Sequence, residues 1–409
     1  MDSVQQETDH IYKQHFGKMV ACLLYSSRDI DPETAEDIVQ DSFSAALTSW
    51  RSQGIPANPV AWMYKVCRNK ALNIIKRNNR LEPFSDQAAG SMEIRFSDSA
   101  LDDHQLKLLF ACAHPDLSPK TQVVITLKYV LNLKVEAIAK VLGMSIDGVD
   151  KLLVRARQKI KTEKIILEEP RAHALKERLP TVHKIIYLTF NEGYKSSGGN
   201  EILREELCEE ALLLNRELLD KNLGNKETSA LHALMLFNSA RLKSRFSESG
   251  ELLDLENQDR SLWNQDLISL AHHFLTESQG ETFSTYHLEA AIACLHCVAD
   301  SFEQTDWKTI AGIYLRLLTD HPNPFVELNY AIALYYAGDK RTAFEILHAL
   351  QRHAFLSRYY LLNMALGKFH YLEGDKAYAR QFLNKAYLQT SAPKEKDFIQ
   401  KMINKSEDF

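Results

Sequence analysis

The sequence predicts an all-α protein: two small helical domains joined by a linker, followed by a helical-repeat domain. Three observations predict it. Pro and Gly are sparse, 11 and 15 among 409 residues. Long stretches carry apolar residues at three-and-four spacing, the period of an amphipathic helix. Near the C-terminal end a block of residues recurs at a constant interval, as stacked supersecondary units require.

The first domain is expected over 8–80. In 33–50, Ile38, Val39, Phe43 and Leu47 form an apolar stripe, and Glu36, Asp37, Gln40 and Asp41 form the polar face. Such a face is by default a solvated helix surface. Trp50 to Asn58 is a loop between two helices. Trp50 and Arg51 beside that loop could cradle an unstacked base, as single-strand binders do. Trp50 would serve equally well as a core anchor. Pro59 suits the first turn of the next helix, over 59–80. It can turn Trp62, Val66, Leu72 and Ile75 inward. Lys65, Arg68, Lys70, Lys76, Arg77 and Arg80 supply positive charge, with no acid in the stretch. A helix of this kind could track phosphates, and Asn69 and Asn73 among its cations could reach bases.

Residues 81–100 contain Pro83, Gly90, several serines and an acidic bias, and read as a flexible linker. The second domain is expected over 101–165. Val135, Ile138, Ala139 and Leu142 make one short amphipathic helix, which Gly143 ends. Ser145 is a good N-cap for the next. That second helix buries Val149, Leu152 and Leu153 and exposes Lys151, Arg155, Arg157 and Lys159. Helix, Gly-containing turn and basic helix make a helix-turn-helix, whose second helix would enter the major groove. A plain helical hairpin with a solvated basic face is the alternative.

The third block is expected over 170–409, after Glu168, Glu169 and Pro170. Tyr335, Gly338, Asp339, Lys340, Ala343 and Leu347 recur as Tyr371, Gly374, Asp375, Lys376, Ala379 and Leu383, at a constant offset of 36 residues. That is close to the tetratricopeptide period of about 34. The alanines allow close helix contact and the Gly-Asp pair makes the turn. Stacked units of this kind form a solenoid whose concave face could hold a protein or peptide partner. Upstream, over 200–320, the repeat is degenerate.

Composition excludes several classes. The net charge of -5 rules out a basic nucleic-acid coat, so DNA binding must rest on where charge sits. No apolar run approaches the roughly 20 residues that span a bilayer, and the acidic, polar MDSVQQETDH does not read as a signal peptide. Six scattered cysteines suit a reducing compartment, so a cytoplasmic, membrane-free protein is expected. Cys294 and Cys297 have CxxC spacing, but two further metal ligands are not evident nearby, and buried thiols are the better reading. His272 and His273 read as helix surface and core. Asn191 to Tyr194 reads as a helix end, with Gly193 in a left-handed turn. A nucleophile–base pair is not evident, so no enzyme, metal or cofactor is expected.

Taken in order, these segments resemble the extracytoplasmic-function sigma factors, group 4 of the sigma-70 family. AEDIVQDSF, the following Trp50 and PVAWMYKVCRNKALNIIKR resemble sigma region 2. LDDHQLKLLFACAHPDLSPKTQVVITLKYV through the helix-turn-helix resembles region 4. LPTVHKIIYLTFNEGYKSSGG (179–199) and the paired repeats resemble the sub-family with a tetratricopeptide-like C-terminal extension. The resemblance implies an alternative sigma factor that binds core RNA polymerase, through its largest and second-largest subunits, and promoter DNA.

By position it implies that Asp37, Gln40, Asp41 and Phe43 grip the clamp helices of the largest subunit. The loop with Trp50, Arg51 and Asn58 would receive a flipped base of the −10 element. Lys65, Arg68, Asn69, Lys70 and Arg77 would hold the adjacent duplex. The helix from Ser145, with Asp147, Asp150, Lys151, Arg155 and Arg157, would read the −35 element. The linker would thread toward the active-site and RNA-exit channels. Asp147, Asp150 and Leu152 depart from the family's small or basic residues; an Asp can accept from cytosine N4. The fused solenoid implies regulation in cis or through a partner. Two other readings use the same residues: an operator-binding regulator with a solenoid sensor, and a solenoid adaptor whose N-terminal half is a relic.

Overall fold

The computed structural model describes residues 3–26, 30–81, 98–163, 165, 172–195 and 205–407. The expected linker 81–100 lies outside them except at its ends. The described residues are built of helices, with an isolated bridge between Phe246 and Leu252. They form two compact units, Met1–Leu223 and Gly224–Phe409.

The first unit holds α1 (Ser3–Ser26), α2 (Pro32–Gln53), α3 (Pro59–Leu81), α4 (Asp98–Cys112), α5 (Pro119–Ile125), α6 (Val135–Val141), α7 (Ile146–Thr162), α8 (Ala172–Lys195) and α9 (Glu205–Asp220). Local chemistry sets the ends of α2. The Asp31 carboxylate accepts from the Thr34 amide at 2.8 Å, and Pro32 takes the first helical position. Gly54, at φ 84°, closes the helix where a side chain would be strained. Asn58 then accepts from the Ala61 amide at 2.9 Å to open α3. The apolar stripes of α1, α2 and α3 share one core, in which Phe16, Met19, Ile38, Val39, Met63 and Cys67 are buried. Each large side chain so buried contributes about 1.5–3 kcal/mol.

Ser118 caps α5, which runs on into a π-helical turn over Thr126–Val130. Gly143, at φ 61°, ends the turn after α6, and the Ser145 hydroxyl accepts from the Gly148 amide at 3.1 Å to open α7. Val149, Leu153 and Ala156 of α7 are buried, and α7 packs on α5 and α6. Thus α6 and α7 form the expected helix-turn-helix.

The block expected from 170 onward is divided. α8 and α9 pack on each other, and α8 packs on α4, α5 and α6 as well. Arg178 donates to the Phe110 carbonyl at 3.0 Å, tying α8 to α4. Asn191 to Tyr194 lie within α8, so Gly193 is a buried helical residue and not a left-handed helix end. The Phe190 and Tyr194 rings, 6.0 Å apart, lie along one face of the helix, and burial on that face carries it past the glycine.

The second unit holds α10 (Lys226–Ser239), α11 (Gln265–Glu277), α12 (Thr285–Val298), α13 (Trp307–Asp320), α14 (Pro324–Tyr336), α15 (Lys340–Leu350), α16 (Tyr360–Leu372), α17 (Lys376–Gln389) and α18 (Pro393–Glu407). The sequence repeat falls on two hairpins, α14–α15 and α16–α17. Gly338 and Gly374, at φ 98° and 81°, make the two turns. Asp339 and Asp375 cap the second helix of each pair through the amides of Thr342 and Tyr378. Ala343 and Leu347 are fully buried, as are Ala379 and Leu383. Tyr335 stacks on Phe369, centroids 3.6 Å apart, joining the two hairpins. Among the described residues no helix is long and apolar enough to cross a membrane.

Candidate nucleic-acid interface

Three helix faces of the first unit carry the residues singled out in the sequence. On α2, Asp37, Gln40, Asp41 and Ser44 point outward while Ala35, Ile38, Ser42, Phe43 and Ala46 are buried. Asp41 lies 3.6 Å from Lys70 on α3. Phe43 does not belong to the outward face. It is buried between the rings of Tyr12 and Phe16, at 5.1 and 6.2 Å, because it falls on the stripe that closes on α1.

Trp50 is likewise a core residue, 2% exposed, with its ring 5.5 Å from Trp62. The structure therefore places its ring in the core against α3, where it cannot receive a base itself. Arg51 and most of the loop through Asn58 are exposed, and the Asn58 side chain is engaged in capping α3. On α3, Lys65, Arg68, Asn69, Asn73, Lys76 and Arg77 are exposed and Lys70 is half-buried. Met63, Tyr64, Cys67 and Ala71 occupy the opposite face. Burial pushes the Cys67 thiol up to about 12, so it is an unreactive core group.

On α7, Asp147, Asp150, Lys151, Val154, Arg155 and Gln158 form the outward face. Asp147 pairs with Lys151 at 2.7 Å, one turn along. Leu152 is half-buried, as the helix period requires. Ser145 serves as the cap. Arg157 does not join the outward face. It turns back toward α2, where its guanidinium lies 3.3 Å from Glu33. Arg157 also meets Tyr129, whose hydroxyl burial pushes up to about 12. Lys128, in the π-helical turn, pairs with Glu36 of α2, both largely shielded from solvent.

These contacts bring α2 against the segment preceding the helix-turn-helix. α1 contributes too, and Gly17 lies so close to the Val130 carbonyl that a Cβ there would overlap it. Sequence periodicity did not single out Glu33, Lys128, Val154 or Gln158. The helix wheel of α7 contains the signal for Val154 and Gln158. No local pattern contains the signal for pairs such as Lys128 with Glu36, 92 residues apart.

In the second unit a cavity of about 220 Å3 is lined by Trp307, Tyr336, His296, Lys368, Asp254 and Glu256, among others. Burial alone would lower the Lys368 ammonium, but the two carboxylates hold it above its ordinary value. Burial raises Cys294, and pushes Cys297 up to about 11. Among the described residues no three His, Cys, Asp or Glu side chains are placed to hold a metal ion.

Comparison with known proteins follows the same division. Residues 14–81 match sigma-70 region 2, and residues 107–160 match sigma-70 region 4. Residues 178–279 match a family of unknown function, DUF6596. An uncharacterised protein of Rhizobium meliloti (strain 1021), R00370, is 34% identical over 324 residues, covering 77% of this chain and 76% of its own. The RNA polymerase sigma factor SigV of Bacillus subtilis (strain 168) is 27% identical over 36% of this chain and 82% of its own. The ECF RNA polymerase sigma factor SigM of the same organism is 23% identical over 37% of this chain and 92% of its own. No solved structure matches the chain. Regions 2 and 4 occur in order on α1–α3 and α4–α7, as in a sigma-70 family factor, and the Rhizobium match runs over three quarters of both proteins: the chain belongs to the same family as that Rhizobium protein.

Proposed function

We propose that this chain is an alternative sigma factor of the extracytoplasmic-function group, working in the cytoplasm, which carries core RNA polymerase to its promoters and opens them. The observation that carries the reading is the set of three outward faces on one unit: acidic and polar on α2, basic on α3, and mixed on the helix-turn-helix. In this reading Asp37, Gln40 and Asp41 meet the largest polymerase subunit. Lys65, Arg68, Asn69, Lys70 and Arg77 hold duplex beside the −10 element through phosphates. The exposed loop 51–58 receives an unpaired base, while Trp50 stays in the core. Capturing that base offsets the few kcal/mol of unstacking, so melting needs binding energy and no covalent chemistry. α7 reads the −35 element, and nucleotide addition stays with the polymerase core.

The second unit, in this reading, is a tetratricopeptide-like solenoid that regulates the factor in cis or through a protein or peptide partner. Its paired hairpins and turn glycines support this. The factor itself is tested by run-off transcription, with the full chain added to bacterial core polymerase on the promoter upstream of its own operon. Specific transcripts are expected, and Asp37→Ala with Gln40→Ala should abolish them. Duplex binding without transcript or co-elution with core would instead favour an operator-binding regulator. Unchanged promoter output after removal of 224–409 would remove the regulatory role.

A further inference from the structure

The outward face of α7 follows the helical repeat: Asp147, Asp150, Lys151, Val154, Arg155 and Gln158. Two of its members do not fit a surface that only attracts phosphates. Val154 is apolar and 57% exposed among Asp150, Lys151, Arg155 and Gln158, whereas the other exposed apolar residue of the helix, Ile146, lies at its first position. Asp150 is an acid that its own helix does not compensate.

Asp147 differs from Asp150 in both respects that matter. It lies in the first turn, where the helix dipole favours an acid, and it is paired with Lys151. Asp150 lies one turn further in. The residues three and four positions away on either side are Asp147, Ile146, Leu153 and Val154, none of them a cation. A carboxylate held against DNA loses affinity by repulsion unless it accepts hydrogen bonds there. In the major groove cytosine presents its 4-amino donor with no acceptor on the same base edge. Adenine sets its amino group beside N7, an acceptor that would repel a carboxylate. The thymine 5-methyl is the one apolar group on a major-groove base edge.

We infer that Asp150 and Val154 are base-reading residues of the −35 contact: Asp150 accepts from a cytosine amino group, and Val154 packs on a thymine methyl. The inference rests on the proposed role of α6 and α7 in binding the −35 element. Four residues along a helix rise about 6 Å, and a base step is about 3.4 Å. The cytosine and thymine therefore lie within about two base pairs of each other.

The test uses the full chain with core polymerase on a promoter library randomised across the −35 region, with transcripts sequenced. The wild type is expected to select C at one position and T within two positions of it. Asp150→Asn should lower the C preference at least about tenfold and move that position toward A, which Asn reads through N6 and N7. Val154→Ala should weaken the T preference several-fold at its own position, whereas Val154→Thr, which keeps a methyl group, should retain it. Both side chains are exposed, so the unfolding midpoints should match the wild type and a folding defect would be visible separately. A transcribed library with no selected C, or with Asp150→Asn changing all sequences alike, would overturn the base assignment alone. No transcript from any library member would overturn the sigma reading, and the inference with it.

Discussion

Arg157 on α7 reaches across to Glu33 on α2, guanidinium to carboxylate, at 3.3 Å. A cation expected to hold promoter DNA is thus spent on a contact between sigma regions 4 and 2. The two side chains are 33% and 66% exposed, which limits the pair to at most about 1 kcal/mol. Arg157→Ala and Glu33→Ala should each lower the denaturant midpoint slightly, and the double variant should lose no more than Arg157→Ala alone, which also gives up the contact with Tyr129. Arg157→Ala should leave the −35 sequence preference unchanged. An additive double variant, or a shifted base preference, would return Arg157 to the DNA.

Gly17 gives a sharper test of the same packing. A glycine inside an exposed helix costs about 1 kcal/mol relative to alanine, so Gly→Ala ordinarily stabilises. Here the added Cβ would overlap the Val130 carbonyl, a backbone group that cannot rotate away. Overpacking of this kind costs about 1–3 kcal/mol. Gly17→Ala should therefore destabilise, and Gly17→Val should do so more, read as a lower unfolding midpoint. A gain in stability from Gly17→Ala would mean that α1 and the π-helical turn are not held together in solution.

Much of this architecture was legible in the sequence because it is written in local chemistry. Pro59, Gly143 and Ser145 mark helix ends by caps and breakers that act within a few residues. The hairpin glycines 338 and 374 mark turns in the same way, and the repeat around them survives because Ala343 and Ala379 fill equivalent places. Trp50 was ambiguous for a physical reason. An aromatic beside a loop suits a base-stacking site and a core equally, and only its neighbour Trp62 decides. Phe43 read on the apolar stripe, and its packing on Tyr12 and Phe16 takes it from the polymerase-facing set that the resemblance implied. Arg157 read as a DNA contact because charge pattern alone does not say which helix lies opposite. The grouping of α8 and α9 with the first unit rests on contacts far apart in sequence, such as Arg178 with Phe110, and no periodicity records those.

The basic face of α3 predicts how binding should respond to salt. Lys65, Arg68 and Arg77 are exposed on a helix whose opposite face is core, so each is free to meet a phosphate. Neutralising one such contact should reduce the slope of log affinity against log salt by about one, and weaken binding alike on all sequences. Measured on promoter complexes of the holoenzyme, Lys65→Ala, Arg68→Ala and Arg77→Ala should each do so. Asn69→Ala should leave the slope unchanged. An unchanged slope for all three cation variants would move the DNA path away from α3.

His296 predicts an acid limit for the second unit. Burial, reinforced by the nearby guanidinium groups of Arg241 and Arg260, pushes its imidazole down to about 3. The neutral ring packs against Trp307, centroids 5.2 Å apart, at the wall of the cavity. In the unfolded chain the same side chain takes up a proton near 6.5. The unfolded state therefore binds more protons than the folded state between those values. Its contribution to stability is complete above about pH 6.5 and is lost progressively as pH falls toward 3. By about pH 4.5 the loss amounts to roughly 2–3 kcal/mol. His114 and His370 are also lowered, first of all by burial, so some acid sensitivity will remain without His296. His296→Phe, which keeps an aromatic ring against Trp307 and removes the titration, should flatten the fall of the unfolding midpoint between pH 6.5 and 4.5. If the variant and the wild type lose stability in parallel over that range, His296 accepts a proton in the folded protein and its pocket is open to water.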